Sequence, residues 1–165
     1  MLPLKWKIFR VICYVHIAAV MGSVAIFLIQ SWDRLCFDCW DFLYISIFFL
    51  MLGVLISNAL LNTWMLERYY PARKPGSSLN TWNIILLILF MLVIAFTTFG
   101  LAMIFNDVLN DEKPLDDNRL KLFLGLYCLV SLTGLPICFF QVSLRRTIRR
   151  NYHAGIDSFL DSDTP

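Results

Sequence analysis

Few side chains in this chain are suited to chemistry, and they fall into three groups. Cys36 and Cys39 frame a Cys-Phe-Asp-Cys motif. At that spacing one thiolate can attack a substrate disulfide and its neighbour can resolve the mixed disulfide. The same pair equally suits a structural disulfide on the oxidising side of a membrane, or two free thiols. Zinc would ask for four ligands, and no histidine lies near the pair, so no metal site is expected. The second group is His16, Asn58, Asn62 and Gln141, polar residues set within apolar runs. Polar groups in hydrocarbon need partners, so these are expected to turn inward and bond together. As a cavity they would give His16 a titrating role. As glue between helices each bond would contribute about 0.6 kcal/mol. The third group is Arg145, Arg146, Arg149 and Arg150, which close the last apolar run. Each would attract anionic lipid headgroups by about 1 kcal/mol. The cluster is too small and too near the membrane to imply nucleic-acid binding.

No phosphate-binding loop, H-E-x-x-H, G-x-S-x-G or calcium-loop pattern occurs, and nothing points to a cofactor. A non-enzymatic role is the expectation.

Composition dictates the elements that hold these groups. The chain has 165 residues, 59% hydrophobic and 16% charged, with a mean hydropathy of +0.68. A soluble domain carries about 25% charged residues. Disorder is excluded, because it needs low hydrophobicity and high net charge. A soluble globule is disfavoured, because too little polar surface is present to cover the apolar mass. Charges bracket four charge-free gaps of 22 residues (after Arg10), 25 (after Asp41), 32 (after Lys74) and 23 (after Lys121). A spanning helix needs about 20 apolar residues. The reading is an all-α polytopic membrane protein, with helices near 10–31, 42–65, 82–105 and 119–144 in an antiparallel bundle. Trp6, Trp32, Trp40, Trp64 and Trp82, with Tyr44, Tyr69 and Tyr70, fall near the predicted helix ends, as interfacial aromatics do. A cleaved signal peptide is the competing reading of residues 1–25, but the apolar stretch is long for it and no small-x-small site follows.

The formal net charge of +2 conceals an asymmetry. The N-terminus, the loop after the second span and the tail hold 10 of the 14 basic residues and 4 of the 12 acidic ones, a net +6. The other side holds 4 basic and 8 acidic residues, a net −4. The positive-inside rule then puts both termini in the cytoplasm, in the plasma membrane or a bacterial inner membrane. Residues 1–150 form one transmembrane domain, and 151–165 read as a flexible cytoplasmic tail. Small residues line the spans: Ala18, Ala19, Gly22 and Ser23; Gly53 and Ser57; Thr97 and Gly100; and Ser131, Gly134, Cys138 and Gln141. Such stripes pack helices against one another or against a second chain. Pro136 should kink the fourth helix.

Four spans, both ends inside and a C-x-x-C between the first two resemble the bacterial membrane oxidoreductases that pass electrons from a periplasmic dithiol to quinone. The resemblance implies a redox role for Cys36 and Cys39. It covers topology and two cysteines. The loop Asn106–Asn118 lacks the family's second cysteine pair, and no basic residue follows Cys39 closely. Asp38 and Asp41 also disfavour a thiolate.

Three functions follow from these readings. The first is a small membrane protein acting through helix contacts, as a homo-oligomer or the accessory subunit of another membrane protein. The second is a channel or transporter-like oligomer lined by His16, Asn58, Asn62 and Gln141. The third is a thiol-disulfide oxidoreductase using Cys36 and Cys39.

Overall fold

Long apolar stretches become helices in hydrocarbon because only a helix bonds all its own backbone groups within one segment. The computed structural model describes residues 3–31, 39–69, 77–110 and 118–162, leaving aside the side chains of 30–31, 39–44, 77, 104, 107–110, 118–120, 123 and 155–162. They form four helices: α1 Leu4–Ser31, α2 Cys39–Arg68, α3 Ser77–Asn110 and α4 Asn118–Ser162. No strand occurs among the described residues. All four helices are long and apolar enough to cross a membrane, which indicates a membrane location. Even α1, with 28 residues, is about 42 Å long and exceeds a hydrocarbon core of about 30 Å.

Each helix overruns the span expected from hydropathy. α1 starts at Leu4 because the Pro3 carbonyl accepts the N–H groups of Trp6 and Lys7 at 3.0 and 3.3 Å. Proline's fixed φ suits a helix start. After α2 one more bond forms, from the Tyr69 N–H to the Met65 carbonyl at 3.0 Å, short of Pro71, whose ring disfavours helix in the residue before it. α4 passes through Pro136 and continues to Ser162, a helix of 45 residues covering most of the segment read as a tail.

α1 packs most extensively against α4 and also against α2, while α3 packs against α2 and α4. Sequence neighbours are therefore spatial neighbours, and α4 closes back on α1. Several pairs mark the depth of each contact. Lys5 Nζ donates to Ser143 Oγ at 2.9 Å. A Cβ added at Gly22 would lie 3.2 Å from Leu126 Cδ1. Arg10 meets Glu67 at 3.3 Å, and the rings of Phe27 and Phe48 are 4.4 Å apart.

The bundle has an apolar core studded with polar side chains and, unlike a water-soluble protein, an apolar surface as well. Phe96, Leu132 and Phe139 are 64%, 69% and 72% exposed, yet His16, Asn58, Asn62, Asn83 and Gln141 are wholly buried. Large apolar side chains on the outside and uncharged polar ones held within suit a lipid surround. Trp6 departs from the interfacial expectation. It is buried, its ring 6.1 Å from Phe9 and 6.5 Å from Phe140, because α1 begins early enough to carry it against α4. Trp82 is exposed, and Trp64 stacks edge-on with Tyr69 at 5.4 Å, as interfacial rings should. Trp32 and Tyr70 lie outside the described residues, as do the side chains of Trp40 and Tyr44.

Candidate functional site

The four predicted polar residues are all buried in the interior, and three of them, Asn58, Gln141 and His16, enter two separate bonded groups, while Asn62 joins neither. Asn58 on α2 and Gln141 on α4 exchange both amide bonds: Asn58 Nδ2 donates to Gln141 Oε1 at 3.0 Å, and Gln141 Nε2 donates to Asn58 Oδ1 at 3.0 Å. Gln141 Nε2 also points at the Asn83 carbonyl of α3 at 3.5 Å. Three helices thus meet at one amide pair. Each amide satisfies the other, which is what hydrocarbon demands of a buried polar side chain.

His16 belongs to a separate group. Its Nδ1 lies 2.8 Å from Thr133 Oγ1 on α4, and its ring lies 5.5 Å from that of Phe90 on α3. Thr133 Oγ1 also sits 2.7 Å from the Leu129 carbonyl of its own helix. When the hydroxyl proton goes to that carbonyl, Nδ1–H donates to Thr133 and Nε2 remains a bare acceptor. Gln141 lies eight residues beyond Thr133 on α4, or about 12 Å along the helix. His16 and the amide pair are therefore stacked at different depths, rather than bonded together as the sequence implied.

Several buried atoms here meet no hydrogen-bond partner among the described residues. They are His16 Nε2, both amide atoms of Asn62, both amide atoms of Asn83, and Ser131 Oγ. An unsatisfied buried polar group costs about 1–3 kcal/mol. Other hydroxyls avoid this by bonding back to their own helix, as Ser23 does to Ala19 at 2.9 Å and Thr97 to Ile94 at 2.9 Å. No charged side chain is buried among the described residues. The core can donate and accept hydrogen bonds, but it offers no buried carboxylate or ammonium for ion coupling.

Asn83 and Thr133 were missed in the sequence. Asn83 follows Trp82 at the first turn of the predicted span and so reads as interfacial. Because α3 begins at Ser77, Asn83 is carried two turns inside and buried. Thr133 reads as a self-satisfied helix hydroxyl, bonding back to the Leu129 and Val130 carbonyls, and only the approach of α1 gives it a partner outside its own helix.

The small residues divide by face. Ala19, Ser23, Thr97, Ser131 and Gly134 are buried between helices. A Cβ added at Gly134 would collide with the side chain of Ile94. Ala18, Gly53 and Ser57 face outward, and a Cβ added at Gly53 would meet nothing within 4 Å.

The arginines also separate. Arg145 Nη2 donates to Asn80 Oδ1 of α3 at 2.8 Å and is half-buried. Arg146, Arg149 and Arg150 are exposed and, with His153 and Ala154, line a groove of about 420 Å³. Cys36 lies outside the described residues. Cys39 begins α2, with its side chain outside the described set. Cys13, Cys128 and Cys138 are free thiols within the helices. No three His, Cys, Asp or Glu side chains gather as metal ligands among the described residues. No family model, curated protein or solved structure matches the chain.

Proposed function

We propose that this is a small integral membrane protein that acts through lateral helix contacts, as a homo-oligomer or as the accessory subunit of another membrane protein. One observation carries the reading. Leu50, Gly53, Ser57, Leu60 and Trp64 form a seam along the outward side of α2. Their steps of three, four, three and four residues are those of a left-handed helix pair. Gly53 and Ser57 form a small-xxx-small step at its centre, where a partner backbone can approach closely. Outward small residues also occur on α3, at Ala95, Thr98 and Ala102, but the α2 pair includes a glycine, whose missing Cβ lets a partner backbone come closest.

Further observations support the wider reading. Pairs from Lys5–Ser143 through His16–Thr133 to Gly22–Leu126 descend α4 as they ascend α1, in keeping with an antiparallel bundle. The charge asymmetry supports both termini in the cytoplasm and insertion in the plasma membrane or a bacterial inner membrane. The lipid bilayer is then a standing partner, and nothing supports a nucleic acid.

The test is purification in mild detergent at native expression, followed by mass determination. The native chain should appear with a second copy or with another membrane chain. The double substitution Gly53→Leu with Ser57→Leu should release it as a monomer of unchanged helicity. A native chain that is strictly monomeric and partner-free would sink the proposal.

The unpaired atoms of His16, Asn62 and Asn83 support a second reading, an oligomer that passes a neutral polar solute through this core. Solute flux lost in His16→Leu with assembly intact would favour it, and unchanged flux would remove it.

A further inference from the structure

Arg146, Arg149, Arg150 and His153 are spaced i, i+3, i+4 and i+7, so they share one face of α4. All four are exposed, and between them runs the groove of about 420 Å³, within the range of small-molecule sites. Ala154 gives the groove a side without bulk. The single ion pair among the described residues, Arg10–Glu67, lies elsewhere, so no described carboxylate neutralises the three guanidinium groups. Arg145 is not part of the site, because Asn80 holds it against α3.

Depth identifies the medium that this face meets. Arg145 sits level with Asn80, two residues from the exposed Trp82, and an exposed tryptophan marks the edge of the hydrocarbon. From Arg146 to Arg150 the helix rises about 6 Å. A headgroup layer is about 5–7 Å thick on each side of the hydrocarbon core. The three guanidinium groups therefore stand in the layer that holds lipid phosphates. The chemistry of the cations narrows the ligand further. All are arginine, whose planar fork bonds two phosphate oxygens at once, and none is lysine. A phosphodiester offers one negative charge, whereas a phosphomonoester offers up to two and more free oxygens.

We propose that this face of α4 is a binding site for a lipid with a phosphomonoester headgroup, gripped by Arg146, Arg149 and Arg150 with His153 as a further polar contact. The site is independent of the lateral contacts on α2. It requires only that α4 leaves the bilayer at this point.

The full chain is reconstituted in phosphatidylcholine nanodiscs doped with either phosphatidic acid or phosphatidylserine, and bound lipid is measured by native mass spectrometry and titration. Phosphatidic acid should bind more tightly than phosphatidylserine. A surface arginine contributes a factor of about five, so Arg146→Gln, Arg149→Gln and Arg150→Gln together should weaken binding on the order of 100-fold. Arg145→Gln should change it less than about twofold, since that side chain faces Asn80. Replacing the same three arginines by lysine keeps charge and helix but removes the forks, so the preference for phosphatidic acid should shrink to the part that its extra charge alone supplies. Equal affinity for the two lipids in the native chain, or a preference that is undiminished in the lysine variant, would overturn the proposal. So would displacement of the lipid by millimolar inorganic phosphate, which would mark a soluble-anion site. Binding of a phosphopeptide in place of either lipid would do the same.

Discussion

Asn58 and Gln141 show why a single polar residue in this bundle is not an independent feature. Each amide both donates to and accepts from the other at 3.0 Å. Truncating either one strands its partner among apolar atoms. Asn58→Leu and Gln141→Leu should therefore each destabilise the fold, and the double substitution should cost less than the sum. A coupling of about 0.6–1.7 kcal/mol is expected for such a pair in a membrane protein. A double-mutant cycle in mixed micelles would read it, and additive costs would show that the two amides do not share their bonds. The sequence placed Asn58, Gln141 and His16 inward from one physical rule, that hydrocarbon does not tolerate an unpaired polar group. It could not assign partners. His16 takes Thr133 at 2.8 Å, a residue no spacing argument selects, because the pairing depends on how far α1 slides along α4.

At the scale of elements, two glycines with the same sequence signal have opposite roles. Gly134 on α4 lets Ile94 of α3 lie against the helix backbone, and a Cβ would come within 2.8 Å of Ile94 Cγ1. Ile94 is β-branched and stiff, so it cannot easily turn away. Gly134→Ala should lower stability by about 1–3 kcal/mol through overpacking. Adding Ile94→Val, which removes the tip of that side chain, should recover part of the loss. Gly53→Ala should be neutral or stabilising by up to about 1 kcal/mol in the isolated chain, because alanine is the better helix former. Thermal melts of the three variants would check this, and equal losses at both glycines would contradict the assignment of faces. Charged contacts matter less here. Arg10–Glu67 is 42% and 54% exposed, and an exposed pair of this kind contributes about 0–1 kcal/mol. Helix ends were read too short in the sequence. Hydropathy locates the hydrocarbon, whereas α1 and α4 continue beyond it, one started by the Pro3 carbonyl and the other running into the basic face.

For the whole molecule, the charge asymmetry of +6 against −4 makes a testable statement about threading. Reporters fused at either terminus should be active only in the cytoplasm. A reporter inserted in the acidic loop near Glu112 should be active only on the far side. Activity at the N-terminus and the C-terminus on opposite sides would mean that one of the four helices does not cross. That result would also remove the present basis for the lipid site, if the failing helix were α4.

Four apolar stretches of spanning length, the uneven count of charges between alternate segments and the inward turn of the polar residues were all legible in the residues themselves. Each follows from a one-dimensional rule: a length, a count or the cost of a bare polar atom in hydrocarbon. Which small residues face a neighbour and which face the bilayer was decided only by tertiary structure. So were the buried place of Asn83, the sequestration of Arg145 by Asn80, and the freedom of Arg146, Arg149 and Arg150. A helix shows the same periodicity on every side, and only the rotation of each helix against the others turns a stripe of residues into an interior or a surface.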